Sequence, residues 1–251
     1  MLENSISVLI TGGANGIGQA IAENLLASGI EKLAIVDIRM IEKDVLSLWR
    51  SEYPKYSMEF FPVDVTDMDS FRKAFHEGIE KFKKFDIVIN SAGIFDEFDF
   101  EKMFKVNVCG VVNSCLLAIE HMRQDKGGSG GCVLNISSIA ALKPVLAAPL
   151  YSATKQAVLT ITSSFSEAFF FSRFGIYFHT LCPGATNTRL FTDSFDARCL
   201  FPEFAPEYHA AMAKYPIQDV QAVAKAALEI LKDHKNGSVF VIDDGKIDSR
   251  Q

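Results

Sequence analysis

Short, continuously apolar runs alternate with longer amphipathic segments from one end of the chain to the other. The runs Ser7–Thr11, Leu33–Asp37, Met58–Val63, Asp86–Asn90, Cys132–Ser137, Ile176–Leu181 and Ser238–Ile242 have the length of strands. Their lack of polar alternation is what a sheet covered on both faces requires. The spacers predict helices over Gly16–Ser28, Asp67–Lys83, Phe100–Gln124, Tyr151–Ser172 and Asp219–Lys232. Asp67 suits an N-cap, and Gly29 and Gly175 suit helix stops. Such βαβα alternation predicts an α/β fold, one doubly wound Rossmann domain. No repeat and no interdomain linker interrupts it, so residues 1–251 read as one domain.

Two connections stand out. Lys126-Gly-Gly-Ser-Gly-Gly131 has the glycines of a phosphate loop, but it follows a helix and precedes a strand, the wrong order for one. It reads as a surface connection. The section from Pro183 to about Pro216 is long and irregular, and residues 186–216 are a candidate substrate lid.

Thr11-Gly-Gly-Ala-Asn-Gly-Ile-Gly18 lies between the first strand and the first helix. Gly12 permits a tight exit from the strand. Gly16 lets the backbone approach a pyrophosphate, with Asn15 and Ile17 beside it, and Gly18 lets the helix pack closely on the sheet. The helix N-terminus then presents free N–H groups and a positive dipole end. Asp37 ends the second strand about twenty residues later, where a carboxylate binds the adenosine ribose hydroxyls and repels a 2′-phosphate. NAD is therefore expected rather than NADP. Arg39, close to Asp37, points the other way.

Tyr151-Ser-Ala-Thr-Lys155 places a phenol and an ammonium four residues apart, on one helix face. Tyr151 is the only one of six tyrosines followed by lysine at that spacing, and Ser138 stands thirteen residues upstream at a strand end. Tyrosine ordinarily ionises near pH ~10, too high for a base at neutral pH. A nearby ammonium and a positive nicotinamide ring both favour tyrosinate. Ser138 can hold a substrate oxygen beside the phenol. Together with the glycine loop, these residues predict hydride transfer between an alcohol and a nicotinamide cofactor.

Composition narrows the partners. Of 251 residues, 49% are hydrophobic, enough for a substantial core. The net charge is −6 and the basic residues do not cluster, which disfavours nucleic acid and anionic membrane. Cys109, Cys115, Cys132, Cys182 and Cys199 are odd in number and lack metal spacing, as expected of reduced cysteines. No signal peptide or membrane span is expected, and a cytoplasmic protein is the default. His76, His121, His179, His209 and His234 form no recognisable ligand motif, so no metal is expected. Asp243-Asp244 reads as a solvated turn after the last strand.

Thr11–Gly18, Asn90-Ser-Ala-Gly93, Asn107, Ser138, Tyr151, Lys155 and Pro183-Gly184 resemble, in order, the motifs of the short-chain dehydrogenase/reductase family. The resemblance spans essentially the whole chain. It implies a seven-stranded parallel sheet with helices on both faces, and a catalytic tetrad of Asn107, Ser138, Tyr151 and Lys155. Asn107 would bend a helix and hold a water that links Lys155 to solvent. Asp64 and Val65 would meet the adenine. Asn90, Ala92 and Gly93 would stabilise the sheet and pass close to the ribose. Pro183, Gly184, Thr186 and Thr188 belong to the turn beside the nicotinamide, with Thr188 orienting its carboxamide. Tyr-Ser-x-Thr-Lys, Thr162-Ser-Ser164 and Asn236-Gly-Ser-Val-Phe-Val-Ile-Asp243 resemble most the insect alcohol dehydrogenases and 15-hydroxyprostaglandin dehydrogenases.

That subgroup oxidises secondary or allylic alcohols with NAD. Leu190, Phe191, Phe195, Leu200, Phe201, Phe204, Tyr208, Met212 and Tyr215 crowd the lid, and Phe95 and Val145 flank the motifs. A medium-sized lipophilic alcohol is expected, met by Phe95, Val145, Leu190 and Phe191. Val158, Ile161, Phe165, Phe169, Phe170 and Phe171 give the helix after Tyr151 more apolar surface than one sheet face needs. A homodimer or homotetramer is expected. Two rivals stand beside this reading: a carbonyl reductase using NADPH, and a storage or developmental protein without turnover.

Overall fold

The computed structural model describes residues 6–193 and 196–250. Its elements run β1 (Ser7–Thr11), α1 (Gly16–Ala27), β2 (Lys32–Asp37), α2 (Lys43–Glu52), β3 (Ser57–Pro62), α3 (Met68–Phe82), β4 (Ile87–Asn90), α4 (Phe100–Phe104) and α5 (Val111–Met122). Then follow β5 (Gly131–Ile136), α6 (Pro149–Phe165), α7 (Ala168–Phe174), β6 (Ile176–Pro183), α8 (Arg189–Thr192), α9 (Ala205–Met212), α10 (Val220–Ile230), β7 (Val239–Asp243) and β8 (Lys246–Arg250). The strands form one sheet in the order β3-β2-β1-β4-β5-β6-β7-β8.

Successive strand residues feed opposite faces of this sheet. Val8 and Ile10 of β1 pack in one core layer with Ile21 and Leu25 of α1 and Val223 and Ile230 of α10. Leu9, between them, packs in the other layer with Phe71 and Phe75 of α3, Cys115 of α5 and Val158 of α6. Burying both faces is why the strands read as unbroken apolar runs. The chain winds from β1 outward to β3, then crosses to β4 on the other side of β1. The carboxyl ends of β1 and β4 thus part at the switch point, the crevice where such sheets take ligands.

The eighth strand is a departure from the expected seven. Seven strands are parallel, and β8 pairs antiparallel with β7. Asp244 and Gly245 both have positive φ (50° and 70°), the two-residue hairpin geometry that Asp-Gly favours. The Asp243-Asp244 turn is real, but it leads into a strand. Helix α2 was also not anticipated. Trp49 is its only buried residue, so its apolar signature is faint.

Two expected long helices are interrupted. The backbone from Phe100 to Met122 widens over Lys105–Gly110 into a π-helical turn, with Asn107 buried inside it. The expected helix Tyr151–Ser172 ends at Phe165 and restarts as α7. Ser164 and Ser166 hydroxyls donate to the carbonyls of Thr160 and Ser163, and Asn236 Nδ2 donates to Ser166 O at 2.8 Å. Serines that bond their own backbone compete with helix continuation. Phe169–Phe171 therefore sit on α7. The lid section is more regular than expected. It carries α8, two short 3₁₀ turns (Asp196–Arg198 and Pro202–Phe204) and α9. Phe195 lies outside the described residues.

The stretch Phe100–Met122 is long and apolar enough to cross a membrane, but half of its most apolar window is buried inside the fold. It is a core helix by its packing. Asp67 caps α3 by accepting from Ser70 N, and Gly29 and Gly175 end helices with φ of +98° and +60°.

Candidate active site

A cavity of about 620 Å³ opens along the carboxyl ends of β1, β4, β5 and β6. The glycine loop forms one wall. Gly12 has φ +68°, and a Cβ there would lie 2.6 Å from Ala92 Cα. A Cβ on Gly18 would lie 2.1 Å from Gly12 O, so α1 packs against the loop only because Gly18 has none. Gly16 (φ +56°) faces open space apart from the Thr188 side chain. Asn15, at the N-cap of α1, makes no side-chain cap bond, and the first turn has no acidic residue. The helix therefore presents uncapped N–H groups to the cavity, the chemistry that suits a phosphate.

Asp37 ends β2 at the same wall. Its Oδ2 accepts from Ala14 N at 3.0 Å and its Oδ1 from Arg39 N at 2.9 Å. The carboxylate is thereby fixed to the loop at the border of the cavity. Ile17, Asp64, Val65 and Gly93 line the same space as Asp37, Asn15 and Ala92. At the far end stand Pro183, Gly184, Thr186 and Thr188. Gln218 pins that turn: its Nε2 donates to Thr186 Oγ1 (3.3 Å) and Ile242 O (2.9 Å), and its backbone bonds Ala185 and Asn187. Nothing in the sequence pattern marks Gln218, because its partners lie on β7 and the turn after β6.

Ser138, Tyr151 and Lys155 converge in the middle. The Ser138 hydroxyl favours the ionised form of the Tyr151 phenol, and both side chains line the cavity. Ser138 also caps a 3₁₀ turn by accepting from Ala140 N at 3.1 Å. Lys155 Nζ lies 5.6 Å from the centre of the Tyr151 ring and donates to Ile136 O at 3.1 Å. A Cβ on Gly93 would come within 3.5 Å of that ammonium and 3.4 Å of Asn107 Oδ1, so Gly93 leaves both groups room. Ser137 faces away from Ser138 and donates to Lys155 O at 2.8 Å, tying α6 to β5.

Burial dominates the titration of this pair. It pushes the Lys155 ammonium down to about 8 and the Tyr151 phenol up, with the Ser138 bond pulling the phenol back. The ammonium is spent on Ile136 O and is itself held below its usual range.

Two anticipated residues lie behind the cavity wall. Asn90 is buried in the sheet, where its Nδ2 donates to Asn135 Oδ1 of the adjoining strand at 2.7 Å. Its side chain braces the sheet, one of the two roles the resemblance implies, and it does not line the cavity. Asn107 accepts from Ile94 N at 2.8 Å and donates to Ile94 O (2.9 Å) and Thr154 Oγ1 (3.1 Å). It therefore holds the segment after β4 against α6.

The opposite wall is apolar. Phe95, Val145, Leu190 and Phe191 line it with Met212 and Tyr215. Phe95 stands edge-on to Tyr151, with centroids 5.7 Å apart. Tyr208 packs beneath with Ala147, Ala148 and Cys199, whereas Phe201 and Phe204 are exposed. Arg189, Arg198 and Lys102 also reach the cavity, which the hydrophobic pattern did not disclose.

A family model described as short chain dehydrogenase matches residues 7–198. The chain belongs to the short chain dehydrogenase family. Within that family it is 31% identical over 248 residues to the NAD(+) 15-hydroxyprostaglandin dehydrogenase of Rattus norvegicus, covering 97% of this chain and 92% of that protein. It is 25% identical over 241 residues to Alcohol dehydrogenase 2 of Ceratitis cosyra, covering 96% and 92%. Among solved structures, ElxO with NADP bound superposes with a TM-score of 0.78 at 27% identity, over 96% of this chain and 98% of that one. Levodione reductase superposes with a TM-score of 0.81 at 23% identity, over 96% and 97%, a likeness of fold. As a short chain dehydrogenase, the chain is an oxidoreductase, and solved structures of similar fold include one with NADP bound and one bound to NAD.

One cluster lies apart from the cavity. Donor atoms of His76, Glu120 and His121 lie within 4.8 Å of one another between α3 and α5. No local motif marks it, since the residues come from two helices. Arg72 already pairs with Glu120.

The depressed Lys155 ammonium predicts a pH signature. Between about pH 8 and pH 10 the unfolded chain keeps the lysine proton while the folded chain has lost it, so this residue makes stability rise with pH. Urea unfolding of the ligand-free protein should show this rise, on the order of 2 kcal/mol across the window. Lys155→Met should lack it, and parallel pH profiles for the two proteins would contradict it.

Proposed function

We propose that this chain is an NAD-dependent alcohol dehydrogenase that interconverts a medium-sized lipophilic secondary or allylic alcohol and its carbonyl. The observation that carries this reading is the convergence of Ser138, Tyr151 and Lys155 on one cavity that is polar at one end and apolar at the other, with the Lys155 ammonium 5.6 Å from the Tyr151 ring. A dinucleotide held by the glycine loop, Asp37 and the turn at Thr186 and Thr188 would supply the hydride acceptor for the carbinol carbon, and the hydride donor in the reverse direction. Ser138 Oγ holds the substrate oxygen against Tyr151 Oη. Tyr151 accepts the hydroxyl proton at Oη during oxidation and gives it back during reduction. Lys155 supplies positive charge beside the phenol, and the positive nicotinamide ring adds more when present. Asn107 maintains the distance between α6 and the Ile94 segment. Residues 186–216 act as the lid, and Leu190 and Phe191 exclude water.

Asp37 supports NAD, because a 2′-phosphate would meet a carboxylate already fixed by Ala14 N and Arg39 N. Arg39 also borders the cavity and is the one feature that favours an NADPH-dependent carbonyl reductase. For the assembly we propose a homodimer or homotetramer formed through α5 and α6. Exposed Leu116 on α5, Phe169 on α7 and a groove lined by Leu159, Thr160 and Phe170 leave apolar surface there. A cytoplasmic location accords with the five free cysteines.

Three outcomes test this reading. Tyr151→Phe should lower kcat by about 10³-fold or more while NADH affinity, read by fluorescence, stays within a factor of about 3. Silence of the wild-type protein across a panel of lipophilic alcohols, with NAD binding intact, would instead favour a storage or developmental role. NAD should bind at least about 10-fold more tightly than NADP, and Asp37→Ala should narrow that gap; tighter NADP binding would favour the reductase. Light scattering should give a multiple of the monomer mass at low concentration, and a persistent monomer would refute the assembly.

A further inference from the structure

Helix α6 begins without a local cap. Its N-cap residue is Ala148, and Pro149 at the first helical position has no N–H. The first N–H groups that need an acceptor are those of Leu150 and Tyr151. Both are taken by a single side chain more than fifty residues away. Glu97 Oε2 accepts from Leu150 N at 3.0 Å, and Oε1 accepts from Tyr151 N at 2.7 Å.

The arrangement is built, not incidental. Glu97 is fully buried, an expensive place for a carboxylate without partners. Burial raises its pKa, and the two N–H bonds work against that rise. A helix N-terminus favours a negative charge. The turn that carries Glu97 is fixed as well: Asp96 Oδ1 accepts from Phe98 N and Asp99 N, and Glu97 N donates to Arg198 O at 2.9 Å. Two residues earlier, Phe95 stands edge-on to the Tyr151 ring, and Arg198 lies over the Phe95 ring and donates to its carbonyl at 3.1 Å. Tyr151 thus meets this segment twice, through its ring and through its backbone N–H.

We infer that Glu97 is a positioning residue for the reaction: by gripping the first turn of α6 it sets where the Tyr151 hydroxyl stands relative to Ser138. Tyr151 lies in that first turn, so a small rotation or slide of the helix start moves the phenol directly. Ser138 is anchored separately at the end of β5, so its position does not follow. The inference rests on the proposed role of Tyr151, and its tests are separable from that role.

Glu97→Ala and Glu97→Gln are compared with wild type, the second keeping one acceptor oxygen and nearly the same volume. Glu97→Ala should lower kcat by about 10- to 100-fold with NADH affinity unchanged, and Glu97→Gln should recover part of the loss. The isotope effect with a carbinol-deuterated alcohol should increase, because the chemical step has slowed. A loss of rate that only tracks the folded fraction, with an unchanged isotope effect, would overturn the inference. A second readout needs no turnover. In ¹³Cζ-tyrosine-labelled protein with NAD bound, the Tyr151 signal, assigned with Tyr151→Phe, should titrate at higher pH in both variants as the Ser138 bond weakens. An unchanged or lower midpoint would overturn the inference. Should wild type oxidise no alcohol, the dehydrogenase reading fails while this titration still decides the role of Glu97.

Discussion

A buried cation organises the centre of this molecule. Lys155 lies almost wholly out of water, and an ammonium there costs several kcal/mol unless its surroundings compensate. The compensation comes from the end of β5, through Ile136 O, and from the lack of a side chain on Gly93. The helix that carries the lysine is held in turn by Ser137 against β5 and by Asn107, through Thr154, against the segment after β4. Each bond ties α6 to a different strand end. The same bonds that keep the ammonium tolerable bring Tyr151 beside Ser138.

Cofactor and substrate walls follow from the sheet. Strand order reverses beside β1, so the glycine loop and the segment after β4 diverge and leave a crevice. Gly12 and Gly18 make this crevice narrow at its base, where Cβ atoms would collide with Ala92 and with Gly12 itself. The polar end therefore belongs to backbone N–H groups and Asp37, and the apolar end to Phe95, Val145 and side chains of the section after Thr188. A dinucleotide and a lipophilic alcohol are the pair of ligands that such a divided cavity suits.

Much of this was legible in the sequence. The two-sided burial of the sheet wrote itself into apolar runs such as Val8-Leu9-Ile10, and the loop, Asp37, Ser138, Tyr151 and Lys155 announced themselves by spacing. What was not legible depends on partners distant in the chain. The motif marks Asn90 but not its partner, Asn135 on the neighbouring strand, which takes its amide. The break after Phe165 is set by serines that bond their own helix and by Asn236. The eighth strand has a local signal in Asp244-Gly245, whose positive φ angles make the expected turn after β7 a hairpin. Glu97, Gln218 and the His76–Glu120–His121 cluster have no pattern at all until the fold assembles them.

The central claim is that the phenol, the hydroxyl and the ammonium converge on one reacting centre beside a nicotinamide. Its most direct measurement follows the carbinol deuterium of a lipophilic secondary alcohol into the cofactor. The deuterium should appear on a single face of the reduced nicotinamide ring, and the transfer should vanish when Tyr151 becomes phenylalanine. Label on both faces, or transfer that survives the loss of the phenol, would contradict the account.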